Sequence, residues 1–264
     1  MTPPADRRIA LRLDDVGASS KKYEVYSNRS WRVGPLRVSG NWLFLKYLSN
    51  WKSAGPYREM HANEWYEVFD ILTAASARMT VAITAAWADR ADRVTPFPDR
   101  FPDEACALKE GVAHGLIEVA NHGLTHCVLD GNRFHPRWMS SNREFHREFW
   151  DWVPLTVQED HIRRSQQILQ DYFGVPVVTF VPPGNVFTGG TLAIAERYGL
   201  RYVSCQTTPA QVGAVTVLGN EDVAAFHDRD LVLHGVAWLR RLLDRHSGAR
   251  FCAVADLAGR DLSH

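Results

Sequence analysis

The sequence has no excess of charge of either sign and no long hydrophobic run. Its 264 residues include 30 Lys and Arg and 30 Asp and Glu, so the formal net charge is zero. Such a chain lacks the positive field by which proteins attract nucleic acids or anionic membranes, and we expect neither as a main partner. No apolar stretch approaches the roughly 20 residues that a bilayer-spanning helix needs, so no membrane span is expected.

Cysteine motifs and a secretion signal are also missing. The four cysteines, Cys106, Cys127, Cys205 and Cys252, show neither Cys-x-x-Cys spacing nor the arrangement of a small disulfide framework. Thiols of this kind are typical of a reducing compartment. The residues before the first apolar segment lack the apolar core of a secretory signal. We therefore expect a cytoplasmic protein, whose oligomeric state the sequence does not indicate.

Short apolar segments alternate with amphipathic helical segments along the chain. Strands are predicted at 8–13, 79–84, 117–120, 177–181, 201–203, 215–218 and 231–233, and helices at 62–77, 103–115, 156–173 and 191–198. This alternation indicates an α/β fold with a parallel sheet, and about seven strands favour closure into a barrel. We expect one domain over residues 1–264, with irregular, aromatic-rich insertions at about 18–61 and 130–155.

Chemically distinctive residues follow four of these strands: Asp14 and Asp15, His122 and His126, Pro183 and Gly184, and His234. In a parallel barrel the C-terminal strand ends share one face, so these residues are expected to meet. His122 and His126 are four residues apart, and one turn can point both imidazoles at one ion. Asp15 would complete an open set of two histidines and one carboxylate, which suits a catalytic metal. Taken singly, the acidic pair could be a turn at Gly17 and the histidines could be solvated surface.

The Asp-Asp pair, the His-x3-His pair and Leu231-Val232-Leu233-His234, in this order, resemble the polysaccharide deacetylases, the NodB-like family of metal-dependent carbohydrate esterases. The resemblance implies a distorted (β/α)7–8 barrel and one divalent metal ion, with zinc expected. It also implies roles for individual residues: Asp14 as catalytic base, Asp15, His122 and His126 as metal ligands, and His234 as general acid. Gly184 could donate its N–H to an oxyanion.

The chain departs from the family pattern at three places. Gly123 stands where the family has Ser or Thr, and Thr125 is a candidate replacement for that hydroxyl. Val181 stands where the family has an Arg that orients the base. The family's fourth motif has no counterpart near Ser204, where Asp222 and Asp228 remain alternatives as partners of the catalytic histidine.

The expected function is hydrolysis of an N-acyl group, with acetyl expected, from an amino sugar. A Gly-x-Ser-x-Gly elbow is absent, which argues against a serine nucleophile. Six of the nine Trp residues lie in the two insertions, and aromatic rings stack on sugar faces, so Trp42, Trp138, Trp150 and Asn185 are candidate substrate contacts. These Trp residues could instead only pack the loops. Insertions that cover the site would close the groove that a long polysaccharide needs. We therefore expect a small or carrier-linked sugar from glycan or glycoconjugate biosynthesis inside the cell. Deformylation of a formamido sugar, or sugar binding by a decayed barrel, are the alternatives.

Overall fold

The computed structural model describes residues 7–22, 30–39, 58–89, 93–128 and 147–258. Much of each predicted insertion, including Trp42 and Trp138, lies outside these ranges. In the described part of the chain, no helix combines the length and the hydrophobicity that a membrane crossing needs.

Strands and helices alternate as the sequence predicts. The strands are β1 (Arg8–Val16), β2 (Ser30–Val33), β3 (Leu36–Ser39), β4 (Met79–Ile83), β5 (Ala86–Ala88), β6 (Val94–Pro96), β7 (Ile117–Asn121), β8 (Thr179–Phe180), β9 (Tyr202–Ser204), β10 (Ala210–Val212), β11 (Val215–Leu218), β12 (Val223–His227) and β13 (Arg250–Cys252). The α-helices are α1 (Ala62–Ala74), α2 (Phe97–Arg100), α3 (Pro102–Ala113), α4 (Leu155–Phe173), α5 (Gly189–Arg197), α6 (Asp228–His234), α7 (Ala237–Arg245) and α8 (Val254–Ala258). Short 3-10 helices occupy Ser19–Lys22 and Pro183–Asn185.

One curled sheet organises the molecule. Its strands follow the order β10-β11-β9-β8-β7-β4-β1-β12, and β13 also pairs with β1. All of these pairings are parallel except that of β10 with β11. Hydrogen bonding among the described strands does not join β10 to β12, so the sheet is an incompletely closed barrel. The predicted distorted barrel of parallel strands is confirmed.

The core lies on both faces of this sheet, as expected where helices cover parallel strands. Every residue of β4 is buried, as are all residues of β1 after Arg8. Helix α1 buries Trp65 and Leu72 against the sheet, and α4 buries Ile162. Each large apolar side chain removed from water contributes roughly 1.5–3 kcal/mol to stability. This packing fixes the strands whose ends carry the polar residues.

The prediction of a strand at 231–233 is wrong, because these residues belong to α6. The His227 N–H donates to Asp230 Oδ2 at 2.9 Å, and Asp228 and Asp230 place negative charge in the first helical turn. Both features stabilise a helix start at residue 228. The strand that directly precedes α6 is β12, which ends at His227. His234 therefore lies at the end of a helix and is exposed.

The strand register brings five strand ends to one edge of the sheet. Asp14 of β1 is opposite His227 of β12, and Ile83 of β4 is opposite Asn121 of β7. Asn121 is in turn opposite Phe180 of β8. The segments that follow β1, β4, β7, β8 and β12 consequently emerge together, and the candidate site is built from them.

Candidate metal centre and active site

The backbone at the end of β1 is strained around Asp15. Asp15 has φ of 71° and Gly17 has φ of 76°. A Cβ at Gly17 would lie 2.7 Å from Phe97 Cδ2 and 2.8 Å from Thr84 O, so only glycine fits there. His126 and Asn185 also have positive φ and follow neighbouring strands. Such conformations cost roughly 1–3 kcal/mol each and persist where the surroundings impose them, often at functional sites.

Asp15, His122 and His126 converge after β1 and β7. Asp15 Oδ1 lies 3.2 Å from His122 Nε2 and 3.3 Å from His126 Nε2. One ligand atom from each residue lies within 4.8 Å of the others, and all three side chains are buried. Within the described ranges, these three residues form the one group of three or more His, Cys, Asp or Glu side chains that lie close enough together to hold an ion. The structure thus brings together the three residues predicted as ligands.

The two imidazoles are oriented by second partners. His122 Nδ1 lies 2.6 Å from Val181 O, and His126 Nδ1 lies 2.8 Å from Ser20 Oγ. A carbonyl can only accept a hydrogen bond, so His122 carries a proton on Nδ1 and turns Nε2 towards Asp15. Metal-ligating histidines are usually fixed in this way, through the nitrogen that does not bind the ion.

The donor set requires positive charge at its centre. With the proton on Nδ1, neutral His122 faces the Asp15 carboxylate with a lone pair, and two acceptors at 3.2 Å repel each other. A cation or a second proton on the ring removes this repulsion. Burial raises the pKa of Asp15, but hydrogen bonds from His122 and His126, together with the charges of His126 and His227, outweigh it and hold that pKa well below its usual range. The residues present fit a divalent cation with open positions, of the kind zinc prefers.

Asp14 is oriented by Arg12, which sequence reasoning missed. Arg12 Nε donates to Asp14 Oδ1 at 3.0 Å, and Nη2 donates to Oδ2 at 2.9 Å. Arg12 Nη1 donates to Ser204 Oγ at 2.9 Å, from β9 across the interior of the curled sheet. Residues two apart on a strand share a face, and this spacing was the signal that could have identified Arg12. The Arg absent at Val181 thus has a counterpart on the strand of Asp14 itself.

His227, which the sequence analysis did not single out, lies beside the carboxylate pair. Its Nε2 is 3.9 Å from Asp15 Oδ2, and its Nδ1 is 3.8 Å from Asp230 Oδ2. Burial lowers the pKa of His227, but the Asp230 hydrogen bond and the charges of Asp15 and Asp14 raise it to about 9. The side chain is 40% exposed, so it is open to a substrate. The structure brings His227, and not His234, to the end of a strand beside Asp14.

A buried charge cluster lies behind His227. Lys21 Nζ contacts Glu59 Oε1 at 2.7 Å and also pairs with Asp228, while Glu59 Oε2 accepts the Gly17 N–H at 3.0 Å. Burial raises the pKa of Asp228 to about 7. Of the two alternatives for the partner of the catalytic histidine, Asp228 pairs with Lys21 and Asp222 is exposed. It is Asp230 that approaches the His227 ring.

The remaining predicted site residues lie after β8 or before α4. Gly184, with φ of 65°, is in the 3-10 turn that follows β8. Asn185 Oδ1 accepts the Gln206 N–H at 3.0 Å. Trp150 is half-buried, with the Arg147 guanidinium carbon 4.5 Å from its ring centroid. Substrate contact by Trp150 and Asn185 stays a prediction, as it does for Trp42 and Trp138 outside the described residues.

Comparisons with solved structures find similar chains at low sequence identity. The Xyl-CE4 domain of a multidomain xylanase from the hindgut metagenome of Trinervitermes trinervoides is 13% identical, with a TM-score of 0.50 over 98% of this chain and 93% of that one. A family 4 carbohydrate esterase from Streptomyces lividans is 17% identical, with a TM-score of 0.44 over 71% of this chain and 84% of that one. At 13% identity, the likeness to the Xyl-CE4 domain concerns the fold alone.

Another similar structure is BA3943, a CE4 family pseudoenzyme from Bacillus anthracis. It is 11% identical, with a TM-score of 0.47 over 75% of this chain and 61% of that one. The present chain spans 61–64% of the length of the BA3943 chains that it matches. No curated protein matches the sequence.

The sequence profile of the polysaccharide deacetylases matches residues 54–203, which is more than half of the chain. This range includes His122, His126 and Gly184. Asp14, Asp15 and His227 lie outside it, and the sheet register places them at the same edge. The chain therefore belongs to the polysaccharide deacetylase family.

Proposed function

We propose that the protein is a metal-dependent hydrolase that removes an N-acyl group, expected to be acetyl, from an amino sugar. The supporting observation is the convergence of Asp14, Asp15, His122, His126 and His227 at one sheet edge. These side chains offer a base, a ligand set and an acid. Hydrolysis of an amide needs a base and an acid, because water must lose a proton and the leaving amine must gain one.

Asp15, His122 and His126 would hold the cation. When bound, a divalent ion polarises an acyl carbonyl and lowers the pKa of a coordinated water towards ~7. The orientation of both rings by Val181 O and Ser20 Oγ prepares the set for binding.

Asp14 acts as the base in this proposal. Its carboxylate accepts two hydrogen bonds from Arg12, which fix its plane and leave lone pairs available for a water proton. Asp14 takes a proton from the water as the water oxygen attacks the acyl carbon. The Gly184 N–H is proposed as a donor to the carbonyl oxygen while negative charge develops there.

His227 acts as the acid, in place of the His234 suggested by the sequence. It lies on the strand next to Asp14 and is partly open to solvent. His227 donates its proton to the nitrogen as the C–N bond breaks, because an amine anion is a very poor leaving group. The products are a carboxylate and the free amino sugar.

The substrate is proposed to be small or carrier-linked, such as an intermediate of glycan or glycoconjugate biosynthesis. Support comes from the two aromatic-rich insertions. They follow β1 and β7 in the chain and so begin at the sheet edge that carries Asp15 and His126. Among their aromatic residues, Trp150 packs with Arg147 beside Gly184, whose hypothetical Cβ would meet Arg147 Cγ at 2.7 Å. The cytoplasmic location expected from the sequence stays a prediction.

The test is acetate and formate release from a panel of N-acetyl and N-formyl amino sugars, free, polymeric and carrier-linked, with Zn²⁺ present. Asp14→Asn should retain zinc and lose about 10²–10⁴ in rate. Asp222→Asn, at an exposed position, is the matched control. Near-normal turnover by Asp14→Asn would contradict the mechanism. Sugar binding without acyl release by the wild type would favour a binding protein, and formate as the main product a deformylase.

A further inference from the structure

A buried carboxylate, Glu148, accepts hydrogen bonds from the turn between His122 and His126. Glu148 Oε1 accepts the Thr125 N–H at 2.8 Å, and the Thr125 hydroxyl lies 3.0 Å from the same oxygen. His161 Nδ1, from α4, lies 2.7 Å from it as well. Glu148 is 1% exposed. One carboxylate oxygen therefore ties α4 to the residue directly before His126.

Gly123, directly after His122, makes room for this carboxylate. A Cβ at Gly123 would lie 1.8 Å from Glu148 Oε2, 3.0 Å from its Cδ and 3.1 Å from Pro183 Cγ. No side chain at position 123 is compatible with Glu148 in this position. Gly123 also has φ of 77°, in the left-handed region. The glycine and the glutamate are thus two halves of one arrangement.

The arrangement has a cost that packing alone does not explain. Glu148 Oε2 is buried without a hydrogen-bond partner in the described part of the chain. Burying an unpaired carboxylate oxygen is unfavourable, and an apolar side chain would fill the same space without that penalty. What Glu148 provides in exchange is a fixed acceptor for the Thr125 N–H.

The turn is held from its other side by backbone hydrogen bonds. The Ala85 N–H donates to Gly123 O at 3.0 Å, and the Ala86 N–H donates to Leu124 O at 2.7 Å. Glu148 adds the hold on Thr125. His126 comes next, with φ of 56°, a conformation that its surroundings must impose. Loss of the Thr125 contact would free His126 to relax away from Asp15.

We propose that Glu148 is a positioning residue for the metal centre, and that Gly123 is required because its missing side chain admits the Glu148 carboxylate. The inference rests on the proposed function in one respect, namely that Asp15, His122 and His126 bind a metal ion. Glu148 acts through the turn and does not act on the substrate. Its replacement should therefore change the affinity for the metal ion.

The first test measures zinc affinity by competition with a chromophoric chelator, on folded protein well below its melting temperature. Glu148→Ala should raise the zinc Kd about 10–100-fold, the usual effect of removing an outer partner of a metal ligand. Glu148→Gln keeps an accepting oxygen for Thr125 and should bind zinc more tightly than Glu148→Ala. Glu67→Ala, at an exposed position on α1, should leave zinc affinity unchanged.

The second test separates the clash at Gly123 from backbone strain. Gly199 has φ of 80° and nothing within 4 Å of a hypothetical Cβ, so Gly199→Ala reports the cost of strain alone. Gly123→Ala should weaken zinc binding and Gly199→Ala should not. In the double variant Gly123→Ala/Glu148→Ala the fold-losses should be less than multiplicative, because each single change already breaks the same arrangement.

The outcomes distinguish this inference from the metal site itself. If the wild type binds no zinc, both the site and the positioning role fail. If the wild type binds zinc and Glu148→Ala binds it equally well while melting at a lower temperature, Glu148 is only structural and the inference is overturned. Should Glu148→Ala not fold, Gly123→Ala decides, since zinc affinity equal to that of Gly199→Ala would refute the role.

Discussion

Replacing Arg12 by Met tests the arrangement around Asp14, the proposed base. Arg12 is 1% exposed and Asp14 is 6% exposed, and two hydrogen bonds of 3.0 and 2.9 Å join them. Arg12→Met keeps much of the side-chain volume but leaves the Asp14 carboxylate buried without its counter-charge. Removing one partner of a buried pair costs about 3–5 kcal/mol in free energy of unfolding. We expect a loss in this range.

The Asp14→Asn background isolates the charge. There Arg12→Met leaves a neutral amide and the Ser204 hydroxyl without partners, and the expected loss falls to about 1–3 kcal/mol. Arg12→Lys keeps the charge but cannot make the two parallel hydrogen bonds. It should therefore lower kcat/KM, while its free energy of unfolding should stay closer to the wild type than that of Arg12→Met. Guanidinium unfolding of the four proteins of the Arg12→Met cycle gives the comparison. An equal loss in both backgrounds would refute the idea that Arg12 compensates the Asp14 charge.

Three further predictions concern the acid, the metal and pH. His227→Ala should lose about 10²–10⁴ in deacylation rate, whereas His234→Ala should stay close to the wild type; the opposite order in the same assay would restore His234 as the acid. Zinc at 100 times its Kd should stabilise the protein by about 2.7 kcal/mol and EDTA should remove the gain, as followed by unfolding with and without metal, and the absence of a shift in the wild type would contradict a site specific to the folded state. Burial raises the pKa of Glu148, but His161 and the Thr125 N–H outweigh it and leave that pKa below the ordinary 4.5. The unfolded chain then binds more protons, so metal-free protein should lose stability as pH falls below about 4.5, less steeply for Glu148→Gln, and parallel slopes in acid unfolding curves would disprove the shift.

The strands that carry the ligands could be predicted because their sequences are continuous apolar runs. The run predicted at 79–84 is β4 (Met79–Ile83), and that at 117–120 is β7 (Ile117–Asn121). Buried parallel strands have no polar face, so their composition alone identifies them. Residues that follow such strands must share an edge, and this explains why Asp15, His122 and His126 could be grouped before their geometry was known.

The proposed acid, His227, could not be identified in the same way. Leu231-Val232-Leu233 is a short apolar run, and periodicity does not separate a buried strand from a helix over three residues. The true strand, β12, contains two alanines, which are weak strand formers, and so gives little signal. The capping pair of His227 with Asp230 was the local feature that could have located the helix start.

The outer partners of the site have almost no sequence signal. Ser204 and Glu148 contact residues that are 192 and 23 positions away along the chain, so only the folded sheet brings them together. Gly123 could be seen as a departure from the family pattern, but its reason is the Glu148 carboxylate. The hydroxyl of Thr125, considered as a replacement, lies within hydrogen-bond distance of Glu148 and Cys127 O.

The central claim is that one metal ion binds between Asp15, His122 and His126. Anomalous diffraction at the zinc edge, on crystals of the zinc-loaded protein, locates the ion directly. We expect a single strong peak within coordination distance, about 2.0–2.2 Å, of Asp15 Oδ1 and of Nε2 of both histidines. Crystals of His126→Ala grown with the same zinc should lack it. A peak elsewhere, or none at this position in the wild type, would contradict the account.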